Sequence, residues 1–330
     1  MAQFSRAGLI TKPTPLERLN RLSDHLGIDL WVKRDDLAGV SFGGNKTRQL
    51  DYYFGAALAE GADTILITGA VQSNFTRLAA ANAARFGMRA IVQLESRVDA
   101  PSDLYMNSGN VLLSRILGAE VMHFPVGEDE NGADKALYQR AEAIKAEGGK
   151  PYVIPLGKIE NPIGALGYVD AAKEIMAEDQ GFDFIVTGSG SGMTHTGLIA
   201  GFAPYAPHVI GSCVRREKSL QIPRITGLLA AYQDMTGEDL GLSDTDIDIW
   251  DGALAPGYGK MGAVAEAAMT LMAQYEGLII DPVYTAKSFA AVLEMVESGQ
   301  IPQGARVCYI HTGGLGAFFA YQDQLSQLGA

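Results

Sequence analysis

Cysteine is nearly absent: among 330 residues only Cys213 and Cys308 occur, each inside an apolar run that reads as a strand. Two isolated thiols in such contexts exclude a disulfide framework and a cysteine-based metal centre, and they make the cytoplasm the default compartment. Positive charge is also short, with 26 Lys+Arg against 38 Asp+Glu and a formal charge of −12. A surface of that sign repels phosphate backbones and anionic lipid, so no nucleic acid and no membrane is expected as a partner. No apolar run approaches a bilayer span, and "MAQFSRAGLITKPTPL" carries neither a long apolar core nor a small-residue cleavage pattern. Repeats, low-complexity tracts and flexible linkers are missing as well. The expectation is a soluble protein that handles a small molecule.

What is plentiful is glycine, 39 residues of it, set into an alternation of strand-like and helix-like runs. "TILITGA", "AIVQL", "EVMHF", "PYVIPLG", "FIVTGS", "HVIGSC", "GLII" and "RVCYI" read as strands, and stretches such as "FTRLAAANAARFG" and "ADKALYQRAEAIKAEGG" between them read as helices. That order predicts an α/β protein with open, twisted, mostly parallel sheets covered by helices. The motifs fall beyond the C-terminal ends of these strands, where open α/β sheets bind ligands. "GEDENGADK" (127–135) and "TGEDLGLSDTDID" (236–248) read as surface loops.

"TGSGSGMTHTG", from Thr187 to Gly197, follows a strand and opens a helix, which makes its backbone amides a concave anion site backed by the helix dipole. The spacing is neither a nucleotide P-loop nor a dinucleotide fingerprint, since no lysine follows and Met193 stands where a third glycine belongs. It fits one phosphate monoester, with Ser189, Ser191 and Thr194 able to add hydroxyls; a glycine turn without a ligand is the plain alternative. His195 reads as a packing residue. In "SFGGNKTRQL", Lys46 sits at a helix start, where the local field disfavours a cation, so it is either solvated or wanted for its chemistry. A reactive lysine together with a single-phosphate cup suggests pyridoxal 5'-phosphate.

"PTPLERL", "VKRDD", "GGNKTRQL", "GAVQSNFTR", "PYVIPLG", "GALGY", "GSGSGMTHTGL", "APGYG", "DPVYTAK" and "IHTGG" run along nearly the whole chain in an order similar to that of the D-cysteine desulfhydrase and 1-aminocyclopropane-1-carboxylate (ACC) deaminase family. These are tryptophan-synthase-β-like enzymes of pyridoxal-phosphate fold type II. The resemblance implies two domains: a large cofactor-binding one from 1–47 and 159–330, and a small inserted one from 48–158. It implies that Lys46 holds the cofactor, that Asn74 bonds its 3-oxygen, that Gly190, Ser191, Gly192, Met193 and Thr194 hold its phosphate, and that Thr312 faces its ring nitrogen. Ser73, Tyr258 and Tyr284 are implied beside the substrate as catalytic groups, with Asn74 and Phe75 also in contact with it. Ser73 is equally suited to cap a helix, and either tyrosine to simple packing. A homodimer is the usual assembly for such folds.

Within the family, deaminases carry glutamate after the "DPVY" tyrosine and leucine in place of the "HTGG" threonine. Thr285 and Thr312 follow the sulfur-lyase pattern instead, so the implied reaction is α,β-elimination from a cysteine-like amino acid to pyruvate and ammonia. Lys158 of "GKIEN" and Lys260 of "PGYGK" depart from the usual pattern and add cations to loops expected at the mouth of the site. They favour an anionic side chain, L-cysteate releasing sulfite, over D-cysteine releasing sulfide, with Arg215 or Arg216 of "CVRREKS" as an alternative source of the charge. An ACC deaminase and a non-catalytic binder of an anionic metabolite are the remaining alternatives.

Overall fold

The computed structural model describes residues 4–99, 101–157, 160–179, 181–205, 207–242 and 246–326. Among these residues ten strands form two sheets. The larger contains β1 (Leu16–Arg18), β2 (Asp29–Lys33), β7 (Phe184–Ser189), β8 (His208–Cys213), β9 (Asp248–Trp250) and β10 (Arg306–Ile310), in the order β1-β2-β10-β7-β8-β9. The smaller contains β3 (Thr64–Ala70), β4 (Arg89–Glu95), β5 (Glu120–Phe124) and β6 (Pro151–Ile154), in the order β5-β4-β3-β6. All pairings are parallel except β1 with β2.

Parallel strands need helical crossovers, which cover both faces and favour continuous apolar strands over alternating ones. β3 follows this rule, with all seven residues buried. Along β10 the period of two sends Val307 and Tyr309 into a core with Phe289, Leu30 and Met269, and Cys308 and Ile310 into the opposite core with Tyr168, Leu198 and Ile185. Both cysteines are buried free thiols. No helix among the described residues is long and apolar enough to cross a membrane.

Two expectations change. "GLII" (277–280) pairs with no strand: the preceding helix ends at left-handed Gly277 (φ +67), and the Asp281 carboxylate then gathers the amides of Val283, Tyr284 and Thr285 into a turn. "GEDENGADK" is no bland surface loop either. Gly127 is buried, and Glu130 opens the helix Glu130–Ala146 and turns back among four arginines.

Candidate active site

Lys46 is the first residue of the helix Lys46–Ala59. The chain reaches it through four left-handed residues, Ser41, Phe42, Gly43 and Gly44. Such a conformation is cheap for glycine and costs about 1–3 kcal/mol at a non-glycine residue. Buried Arg77 holds the loop by donating to the Ser41 carbonyl and, at 3.2 Å, to that of Gly43. A methyl on Gly313 would come within 2.9 Å of the Gly44 Cα, so the lysine loop and the "HTGG" loop meet backbone to backbone, tied by Asn45 N donating to the Thr312 carbonyl at 3.0 Å. Lys46 Nζ donates to Gln49 Oε1 at 3.3 Å and lies 5.3 Å from the centroid of the Phe75 ring. No carboxylate among the described residues pairs with it, and burial lowers its pKa to about 8.

Opposite, β7 ends in the glycine loop and the helix Met193–Phe202. The first-turn amides of this helix have no intrahelical acceptor. The loop's carbonyls are pinned from behind: Arg216 and Gln221 donate to Gly190 O at 3.2 and 3.1 Å, and Arg224 to Ser191 O at 2.7 Å. Holding the carbonyls on that side turns the intervening amides toward the cleft. Thr194 Oγ1 accepts from Asn45 and Gln49, each at 2.9 Å, so its own hydrogen is left for the cup. Met193 contributes backbone only, because its side chain is buried with Leu228 and Tyr232. Ser189 does not supply the expected hydroxyl: buried Oγ accepts from Gln221 Nε2 at 2.9 Å and lies 3.3 Å from His195 Nδ1. His195 is itself a packing residue, fully buried, and desolvation lowers its pKa to about 4.

Ser73 does cap its helix, Asn74–Arg85, accepting from Phe75 N and Thr76 N at 3.2 and 3.3 Å. It also lines the cleft with Lys46, Asn74, Phe75, Thr194 and Thr312. Asn110 and Arg77 donate to Asn74 Oδ1, at 2.9 and 3.3 Å, which fixes the amide with its NH2 as the group left to donate. Tyr258 and Tyr284 join hydroxyls at 2.6 Å and border an adjoining cavity shared with Lys46 and Ser73. Burial raises both phenol pKa values, so both hydroxyls stay protonated at neutral pH. Lys158 lies outside the described residues. Lys260 is exposed and borders neither cavity.

Several residues of the site were not anticipated. Asp281 shapes the turn that presents Tyr284, and Lys287, with a pKa lowered by burial to about 8, donates to Leu254 O and Gly257 O and so holds the loop carrying Tyr258. Arg97 and Arg215 border the tyrosine cavity. Only "DPVY" and "PGYG" drew attention to these turns; Arg215 stands in "CVRREKS", the alternative source of positive charge in the sequence, while nothing there points to Arg97.

The donor set fits pyridoxal phosphate: an amine of lowered basicity, a fixed amide donor, and a cup of helix-start amides with a hydroxyl, all around one cleft. Residues 9–313 match the family model described as pyridoxal-phosphate dependent enzyme. The D-cysteine desulfhydrase of Yersinia enterocolitica is 39% identical, the match covering 98% of each chain. A crystal structure of an ACC deaminase homologue superposes with a TM-score of 0.89 at 34% identity, covering 99% of this chain and 97% of the other. The processed form of threonine deaminase isoform 2 from Solanum lycopersicum shares the fold, with a TM-score of 0.66 at 16% identity, covering 97% and 89%.

Proposed function

The chain belongs to the family of pyridoxal-phosphate dependent enzymes, and we propose that it is a carbon–sulfur β-lyase whose substrate is D-cysteine, releasing sulfide, pyruvate and ammonia. The observation that carries the reading is Lys46, an amine lowered to about 8 by burial that borders one cleft with Asn74, Thr194 and Thr312. The bound cofactor supplies the electron sink for loss of the Cα proton.

The protein's residues supply the rest. Lys46 would hold the cofactor, Asn74 would donate to its 3-oxygen, the loop from Gly190 to Thr194 would take its phosphate, and the Thr312 hydroxyl would meet its ring nitrogen. Ser73 Oγ already accepts two amides, so its hydrogen is available to a substrate carboxylate. Lys46 Nζ, neutral part of the time at pH 7, is the carrier for the Cα proton. The paired phenols of Tyr258 and Tyr284 hold a proton beside the departing sulfur, and a thiol with a pKa of about 8.5 leaves better when protonated.

Support for D-cysteine over L-cysteate comes from the curated relative named for D-cysteine and from the exposure of Lys260, one of the two lysines that favour cysteate. The deaminase alternative finds no glutamate at 285, where the Thr285 hydroxyl is spent on Asp281 at 2.6 Å. With this reading goes a division into a cofactor-binding domain, 1–47 and 159–330, and an inserted domain, 48–158. The strands support it, since those of the smaller sheet all lie between 64 and 154 while those of the larger lie on either side. A cytoplasmic homodimer completes the proposal. The test is release of sulfide and pyruvate in equal amounts from D-cysteine by the cofactor-loaded protein; pyruvate absent while ACC yields ammonia would replace the reading with the deaminase one.

A further inference from the structure

Arg77 is fully buried, and no carboxylate pairs with it among the described residues. Desolvation lowers its pKa to about 10, which still leaves the guanidinium charged at pH 7. Every nitrogen donates to a neutral oxygen. Nε donates to Asn110 Oδ1 at 2.9 Å, Nη1 to the Ser41 carbonyl, and Nη2 to the Gly43 carbonyl and Asn74 Oδ1 at 3.2 and 3.3 Å. A buried cation without a counter-ion is expensive; these acceptors lessen the cost and leave the charge uncancelled.

The same donors orient two amides. A guanidinium has no acceptor, so the Asn110 atom facing Nε is the oxygen. Asn110 Nδ2 is then the atom that donates to Asn74 Oδ1 at 2.9 Å and to the Gln72 carbonyl at 3.0 Å. Behind it, Asn110 N donates to Gln72 Oε1 at 2.8 Å, and Gln72 Nε2 donates to the carbonyls of Tyr105 and Ser108 at 2.6 and 3.0 Å. Gly316 closes the other side: a methyl there would come within 2.6 Å of Asn110 Oδ1 and 3.1 Å of Arg77 Nε. Hydrogen bonds in a row polarise one another. This row runs from Arg77 through Asn110 and ends at the Asn74 amide, which borders the cleft.

We infer that Arg77 and Asn110 are positioning residues that deliver a buried positive charge, through the Asn74 amide, to the cofactor's 3-oxygen and so favour its deprotonated form. The inference rests on the reading above in which Lys46 holds the cofactor and Asn74 donates to that oxygen. A cation favours a nearby anion, and in a buried, low-dielectric row the effect passes an intervening side chain. The same guanidinium holds the carbonyls of Ser41 and Gly43, on the turn that leads into Lys46. One side chain therefore sets both the lysine arm and the amide arm of the site.

The test is a pH titration of the visible absorption of the cofactor-loaded protein, beside binding of two probes to the apoprotein, pyridoxal phosphate and its 3-deoxy analogue. In Arg77→Met the midpoint at which the bound cofactor loses its proton should rise by about one pH unit, with part of the shift recovered in Arg77→Lys. The Kd for pyridoxal phosphate should weaken about tenfold and that for the analogue far less, a difference that loss of packing alone would not produce. Asn110→Asp sets a carboxylate against the guanidinium and removes the donor toward Asn74. It should move the midpoint the same way, and it retains Arg77 should Arg77→Met not fold. An unmoved midpoint in these variants while Asn74→Ala shifts it, or equal weakening of both probes, overturns the inference and leaves the cofactor reading standing. A midpoint unmoved in Asn74→Ala as well, or a parent protein that takes up no pyridoxal phosphate, overturns both.

Discussion

Around Asp35 every buried charge has its counterpart, whereas Lys46 has no carboxylate partner among the described residues and Arg215, though paired with Glu130 and Glu128, keeps a buried donor unmet. Arg48 forks onto Asp35 and Glu174, Asp35 also receives the Thr14 and Tyr168 hydroxyls, and Lys33 meets Glu174, Glu178 and the Thr14 carbonyl. Lys287, whose pKa burial likewise lowers to about 8, donates to two carbonyls at 3.1 and 2.8 Å. Lys46 has one side-chain acceptor at 3.3 Å, and Arg215 Nε has none. Saturated charges hold elements together; charges left short of partners in a cleft are available to a ligand.

The largest effect should come from the unsaturated region. Lys46→Ala should lower kcat/KM for D-cysteine by about 10²–10⁴-fold or more while leaving the melting temperature nearly unchanged in the absence of cofactor. Arg48→Met should do the reverse: leaving Asp35 buried without its cation costs about 3–5 kcal/mol, read in denaturant unfolding, with kcat/KM altered far less. If both variants lost activity and stability together, the contrast between the two regions would be broken. Tyr284→Phe removes the partner of the Tyr258 hydroxyl and should lower kcat by about 10²-fold, measured at saturating substrate.

How much of this the chain reveals before folding depends on the range of the interaction. The strands at 64–70 and 208–213 announce themselves because burial on both faces demands continuous apolar runs. Lys46, Asn74, Thr194 and Thr312 stand in short motifs whose order is similar to that of a known family. Arg97, Glu130 and Arg215 are far apart in sequence, and only the packing of β4, β8 and the helix Glu130–Ala146 assembles them. "GLII" misled for the opposite reason: burial of Ile280 gives it a strand's composition, while the turn at Asp281 comes too soon for a ladder.

Two smaller effects sharpen the comparison through pH. Reconstitution of the apoprotein with pyridoxal phosphate needs the neutral amine, so its rate should rise with pH to a midpoint near 8, where Lys46 titrates, and level off beyond it. A rate still climbing toward pH 10.5 would mean an ordinary, solvated lysine. His195 stays neutral when folded and takes a proton when unfolded below its ordinary 6.5, so it makes stability fall as pH drops from 6.5 toward 4. Comparing unfolding free energies of the parent and His195→Gln across that window should show a shallower slope in the variant.

We propose that the incompletely paired Lys46 holds the cofactor and that Lys287, held by two carbonyls, does not. Loading the protein with pyridoxal phosphate, reducing with borohydride and mapping the modified peptide by mass spectrometry tests it directly. The pyridoxyl group should be found on Lys46. A label on Lys287, or on no lysine, would contradict it.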